Sequence, residues 1–254
     1  MSVFPIKFKE IIISDKVTGY AINIEKIEDD FAKYIDSKLI TICKGKREIK
    51  LSTVKTEFIE YLKAKNKSNL LPGSVSEFFI HVFLSSQDYK QEFLYFNLEE
   101  NSIKKGFDGY YSKGDIDWVL ESKSTTQADK KHSHNINLGY TGIRDKIEGV
   151  DNKNNPWENA YNHASIRTVA TQDSLLKKLS ALSELYTEKK YGEIMNFDIM
   201  VSSTIFLEGK WNEIDVNTLK QDVTDYLKDK DFKRIVIICL NKKSTTHLLE
   251  YLKR

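Results

Sequence analysis

Hydrophobic and polar positions alternate along this chain with two periods, and the change from one to the other marks the expected elements. Near the N-terminus, 7–14 and 19–24 are short β-branched runs that read as strands, while 28–37 and 52–64 carry apolar residues at helical spacing. Val75, Phe78, Phe79, Val82 and Phe83 predict a helix opening at Pro72-Gly73. A strand is expected over 91–98. Two further runs, 107–111 and 116–123, are rich in aromatic and β-branched residues and are separated by Ser112-Lys113-Gly114-Asp115, which is turn chemistry.

From 124 to about 168 the chain is polar and sustains no apolar period, so a long loop is expected, lying directly after the hairpin. Such a loop would serve as a lid or flap bringing Lys130, Lys131, Arg144, Lys146 and Arg167 to phosphates. Regular pattern then returns. Leu175, Leu176, Leu179, Leu182, Leu185 and Tyr186 predict an amphipathic helix over 171–191 that stops at Gly192. The runs 197–206 and 234–240 are apolar, β-branched stretches that look like buried strands, and helical stretches follow each at 217–227 and 244–252.

Strands alternating with helices imply an α/β fold with a mixed central sheet flanked by helices. The basic, polar stretch 63–69 before Pro72-Gly73 marks an expected boundary. Residues 1–70 are thus expected to form an N-terminal α+β appendage, and 71–254 the main domain.

Composition narrows the picture modestly. The chain has 254 residues, a net charge of +2 and 30% charged residues, so no global field advertises nucleic-acid binding and any DNA contact must come from local patches. Two cysteines, Cys43 and Cys239, are too few for a disulfide framework or a zinc knuckle and suit a reducing cytoplasm. Residues 1–13 lack the apolar core of a signal peptide, and no run approaches the roughly 20 residues needed to span a bilayer. There is no G-x-x-x-x-G-K-[ST], G-x-G-x-x-G or G-x-S-x-G, which leaves ATP-cradling, dinucleotide-binding and common serine-nucleophile chemistry without support.

The hairpin carries the candidate chemistry. Side chains alternate along a strand, so Asp117, Val119, Glu121 and Lys123 share one face. A turn centred on Lys113 and Gly114 would place Asp108 opposite Val119 and diagonal to Glu121 on that face. Asp117 is four residues from Glu121, roughly 13 Å at about 3.3 Å per residue, too far to share an ion with it. Asp108 and Glu121 supply hard oxygen ligands of the kind Mg²⁺ takes, with Mn²⁺ as its substitute, and Lys123 beside them suits a water or a phosphoryl oxygen. An acidic-x-Lys triplet alone is common on edge strands. Here an apolar strand ends at Glu121 and Asp108 sits on the neighbouring strand with matching parity.

Glu77 is a fourth candidate with two readings. Ser74 and Glu77 stand in the S-x-x-E relation of a capping box, which would use the carboxylate on the Ser74 backbone N–H. The alternative is a metal ligand. The pair His132-x-His134 is a weak metal signal without cysteines or an H-E-x-x-H helix, and His81, His163 and His247 are isolated.

This pattern resembles the PD-(D/E)xK nuclease superfamily, with Asp108 as the motif Asp, Glu121-Ser122-Lys123 as the (D/E)xK triplet and Phe107 where the Pro of the name would stand. More narrowly, GFDGYY followed by WVLESKS, after a helix bearing a Glu, is similar to the nuclease subunit HamA of Hachiman antiphage defence systems, over about residues 70–254. The resemblance implies a restriction-endonuclease-like αβββαβ core, Glu77 completing the metal site, and a metal-dependent DNA nuclease controlled by a superfamily 2 helicase partner, HamB-like. Two other expectations stay open: a stand-alone restriction-type homodimer, and a catalytically silent nuclease fold that binds DNA or acts as a scaffold.

Overall fold

Strands that are apolar on both faces need cover on both sides, and this fold supplies it. The computed structural model describes residues 4–67, 70–96 and 106–254. Its strands are β1 (Phe8–Ser14), β2 (Val17–Ile24), β3 (Lys90–Gln91), β4 (Gly109–Lys113), β5 (Ile116–Thr125), β6 (Asp198–Phe206) and β7 (Arg234–Lys242). They form one seven-stranded mixed sheet in the order β1-β2-β7-β6-β5-β4-β3. β2, β7, β6 and β5 run parallel at the centre, and antiparallel pairs finish both edges. Every residue of β6 is buried, the polar Asp198, Ser202, Ser203 and Thr204 included.

One face of the sheet is covered by α1 (Asp29–Lys44), α2 (Leu51–Lys67), α3 (Leu71–Ser86) and α8 (His247–Leu252), which bring Phe31, Phe58, Phe78 and Leu248 against Leu120 and Ile238. The other is covered by α4 (His132–Ile147), α5 (Pro156–Ala164), α6 (Asp173–Thr187) and α7 (Val216–Leu227), whose Ile143, Trp157, Leu179 and Val223 share a cluster with Val201 and Ile237. The protein is therefore α/β, with helices on both faces of a mixed sheet. Cys43 and Cys239 are free and fully buried, as small hydrophobes. Among the described residues, no helix is long and apolar enough to cross a membrane.

Three expectations are corrected. Residues 1–70 are not an appendage: β2 pairs in parallel with β7 from Val17↔Ile235 to Ile24↔Lys242, and α1 and α2 share a core with α3. The expected boundary at 63–69 falls between two packed helices, with 68–69 outside the described residues. A pairing across more than two hundred residues leaves no local trace in sequence. The polar stretch 124–168 is not a loop but holds α4 and α5, anchored by Ile136, Tyr140, Ile143, Ile147 and Trp157. The strand expected over 91–98 shrinks to Lys90–Gln91, and 97–98 lie outside the described residues. Boundaries also move at α6, which ends at Thr187, with Lys189 taking the left-handed conformation (φ 60°) that Gly192 was expected to supply.

Candidate active site

β4 and β5 join through Gly114-Asp115, and Gly114 takes a φ of +59° that glycine adopts without steric cost. The register pairs Gly109 with Leu120, Tyr111 with Trp118 and Lys113 with Ile116. The turn thus lies one residue later than expected. Continuing the register puts Asp108 level with Glu121 rather than with Val119. A one-residue shift of the turn moves cross-strand partners by two, so the face assignment survives while the pairing changes. Ladder pairing stops at Gly109, and Asp108 finishes the hairpin differently: its N–H donates to Leu120 O (3.0 Å), and its Oδ2 accepts the Ser122 N–H (2.8 Å).

Glu121 is buried, at 4% exposure, and both of its oxygens are engaged. Lys123 Nζ donates to Oε1 at 2.8 Å and Lys146 Nζ to Oε2 at 2.7 Å. Lys146 comes from α4, which packs on β5 and β6. Two glycines on that helix permit the approach: a Cβ on Gly139 would stand 2.6 Å from Val201 Cγ1, and one on Gly142 would stand 3.4 Å from Glu121 Oε1. Gly139, Gly142 and Lys146 are three and four residues apart and so share a helix face. The Lys146 ammonium also lies 5.8 Å from the centroid of the Phe107 ring.

The acids here act on one another. Burial pushes the Asp108 carboxyl up to about 8, Glu121 and Glu77 add to the rise, and Lys146 and the Ser122 N–H oppose it. Burial works to lower the Lys123 ammonium, but Glu121, Asp108 and Glu77 outweigh it and hold the pKa above its ordinary value. Glu77 therefore stands within electrostatic reach of Asp108 and Lys123. Its capping role is corrected: α3 starts at Leu71 with Leu70 as N-cap, and Ser74 lies inside the first turn with its N–H on Leu70 O (3.2 Å). Pro72 sits in that first turn, where a missing N–H costs nothing. The structure thus brings Asp108, Glu121, Lys123 and Glu77 into one cluster.

Other candidates fall elsewhere. Asp117 binds Lys178 and accepts from Tyr110 OH (3.4 Å), apart from the cluster. His132 is buried, with Nδ1 2.7 Å from Ser203 Oγ and Nε2 3.1 Å from Asn241 Oδ1. Burial lowers its pKa to about 4, so it is a neutral core residue, while His134 is exposed. His81 meets the Tyr111 hydroxyl in the core. The expected flap charges are dispersed: Arg144 and Lys146 lie on α4, Lys131 is its N-cap residue and reaches toward Asp222 (3.5 Å), Arg144 meets Asp145 (2.8 Å), and Lys130 and Arg167 lie outside the helices. Lys146 is the residue sequence reasoning placed wrongly, as one charge in a supposed loop.

Among the described residues, no three His, Cys, Asp or Glu side chains gather around a single point that could hold an ion. Mg²⁺ asks for less, since one or two carboxylates with waters suffice. Asp108 and Glu121 are hard oxygen donors crowded together in a buried place, and such crowding is relieved by a cation. The donor set fits a divalent ion held by these two, with Glu77 adding negative charge. Comparison with protein-family models and with curated proteins finds no match to this chain.

Proposed function

We propose that this chain is a Mg²⁺-dependent DNA nuclease of the PD-(D/E)xK type, hydrolysing phosphodiesters as the effector of a bacterial antiphage defence system in the cytoplasm. The observation that carries the reading is the meeting of Asp108, Glu121, Lys123 and Glu77 at the open end of the β4–β5 hairpin. Order along the chain supports it: α3, β3, β4, β5, α4 and then β6 parallel to β5 is the sequence of elements a restriction-endonuclease-like αβββαβ core would have.

In this reading Asp108 and Glu121 hold the ion, Mg²⁺ or Mn²⁺. When bound, it supplies an acidified water and charge neutralisation at the phosphate. Lys123 keeps its proton because three acids surround it, so its Nζ donates a hydrogen bond to the attacking water or to a phosphoryl oxygen. Glu77 supports Lys123 and Asp108 through its field. A superfamily 2 helicase partner, HamB-like, would deliver DNA and license cutting, which suits a chain with no nucleotide-cradling loop of its own.

One observation favours a second reading. Glu121 with a lysine on each oxygen is also what a silent nuclease fold, kept as a DNA-binding or scaffolding subunit, would show. Cleavage of plasmid and linear DNA with Mg²⁺ or EDTA, with and without the helicase, separates the two. Loss of cutting in EDTA and in Glu121→Ala plus Lys123→Ala supports the nuclease; DNA binding without cleavage under every condition supports the scaffold.

A further inference from the structure

Glu121 is held by two ammonium groups that are not equivalent. Lys123 lies two residues along the same strand, with its side chain 34% exposed, at the mouth of the cluster. Lys146 reaches in from α4, is more enclosed at 19%, and rests against Phe107, the neighbour of Asp108 in sequence. Its charge acts on Asp108 as well as on Glu121. One monovalent cation thus bonds to Glu121 and bears electrostatically on Asp108, the two acids that would hold a divalent one.

We propose that Lys146 is an exchangeable clamp: its ammonium keeps the place of the divalent cation between Asp108 and Glu121, leaves when the ion binds, and then turns to a phosphate of bound DNA. This inference rests on the nuclease reading and on Asp108 and Glu121 as metal ligands. Three features support it. Lys123 serves only Oε1 of the buried Glu121, and removing one partner of a buried ion pair is destabilising, so Oε2 of the unloaded protein needs a cation that Lys146 supplies. The lysine stem is flexible and its point charge carries no fixed geometry, so the ammonium moves while α4 stays packed through Gly139 and Ile143. On the side of the Phe107 ring the resident ammonium meets a neutral neighbour that gives no further ion pair to fix it in place.

The test is a Mn²⁺ titration of the full chain, following the free ion by electron paramagnetic resonance, for wild type, Lys146→Gln, Lys146→Met and Glu121→Gln. Melting temperatures are measured in parallel. Removing a charge-assisted competitor should tighten Mn²⁺ binding roughly tenfold in both Lys146 variants, whereas Glu121→Gln should weaken it. Without ion the Lys146 variants should melt lower than wild type, and Mn²⁺ should restore them. With Ca²⁺ in place of Mn²⁺, the salt dependence of binding to a short DNA duplex should become shallower by about one counterion in Lys146→Gln. If both Lys146 variants bind Mn²⁺ no tighter than wild type while Glu121→Gln weakens binding, the clamp is wrong and the metal site stands. If wild type and the Lys146 variants take up no Mn²⁺, or Glu121→Gln binds it as wild type does, the metal reading fails and the clamp falls with it.

Discussion

The Asp108 carboxylate accepts the backbone N–H of Ser122 at 2.8 Å, immediately beyond the last paired residue of the hairpin. One side chain therefore closes the β4–β5 ladder and places a carboxylate level with Glu121. Asp108→Asn keeps an acceptor for that N–H and takes away the ability to ionise around a cation, so it should unfold at or above the wild-type denaturant midpoint while losing Mg²⁺-dependent cleavage. Asp108→Ala leaves a buried donor unpaired and should cost about 1–3 kcal/mol. Equal stability of wild type and Asp108→Ala in urea unfolding would show that this bond does not hold the hairpin.

Gly139 and Val201 define how closely α4 sits on the sheet. A methyl at 139 would meet Val201 Cγ1 at 2.6 Å, so Gly139→Ala should destabilise by about 1–3 kcal/mol through overpacking, despite the better helix propensity of alanine. Val201→Ala in the same chain should recover part of that loss, since it removes the struck methyl. Gly142→Ala, with its nearest contact at 3.4 Å, should be milder. A Gly139→Ala protein as stable as wild type would contradict the close packing.

His132 gives a pH signature, from a buried ring bonded to Ser203, the β6 partner of Lys123. Its folded pKa is about 4 against an ordinary 6.5, because burial disfavours the charged ring. Between those values the unfolded chain carries the extra proton, so stability is complete above about pH 6.5 and falls as pH drops toward 4. The loss amounts to about 3 kcal/mol at about 1.4 kcal/mol per pH unit. His132→Gln should flatten this stretch of the urea-midpoint profile; an unchanged slope would mean the ring is not held neutral.

The hairpin was legible because everything that specifies it is local: period-two alternation, turn residues and strand parity. Parity survived an error in the turn position because that error moves partners by two. The β2–β7 pairing was illegible for the opposite reason, since Val17 and Ile235 meet only after the whole chain has folded. α4 lies between these cases. Ile136, Tyr140, Ile143 and Ile147 do recur at helical spacing, but they are few within a long stretch rich in Asn, Asp, Lys and His, and Gly139 and Gly142 lie among them. Those glycines are there because Val201 and Glu121 come close, a fact of packing that the letters do not carry. Missing α4 also hid Lys146 from the site. For Glu77 the sequence offers both a cap and a site, and the start of α3 at Leu71 removes the cap.

The central claim is that Asp108, Glu121 and Lys123 form a metal-dependent nuclease centre, and its most direct measurement is cleavage of plasmid and linear DNA by the purified chain, alone and with the proposed helicase partner. Wild type should cut with Mg²⁺ or Mn²⁺ and stop in EDTA, and Glu121→Ala plus Lys123→Ala should not cut although it still folds. Cutting that persists in EDTA, or a double variant that cuts as well as wild type, would contradict the account.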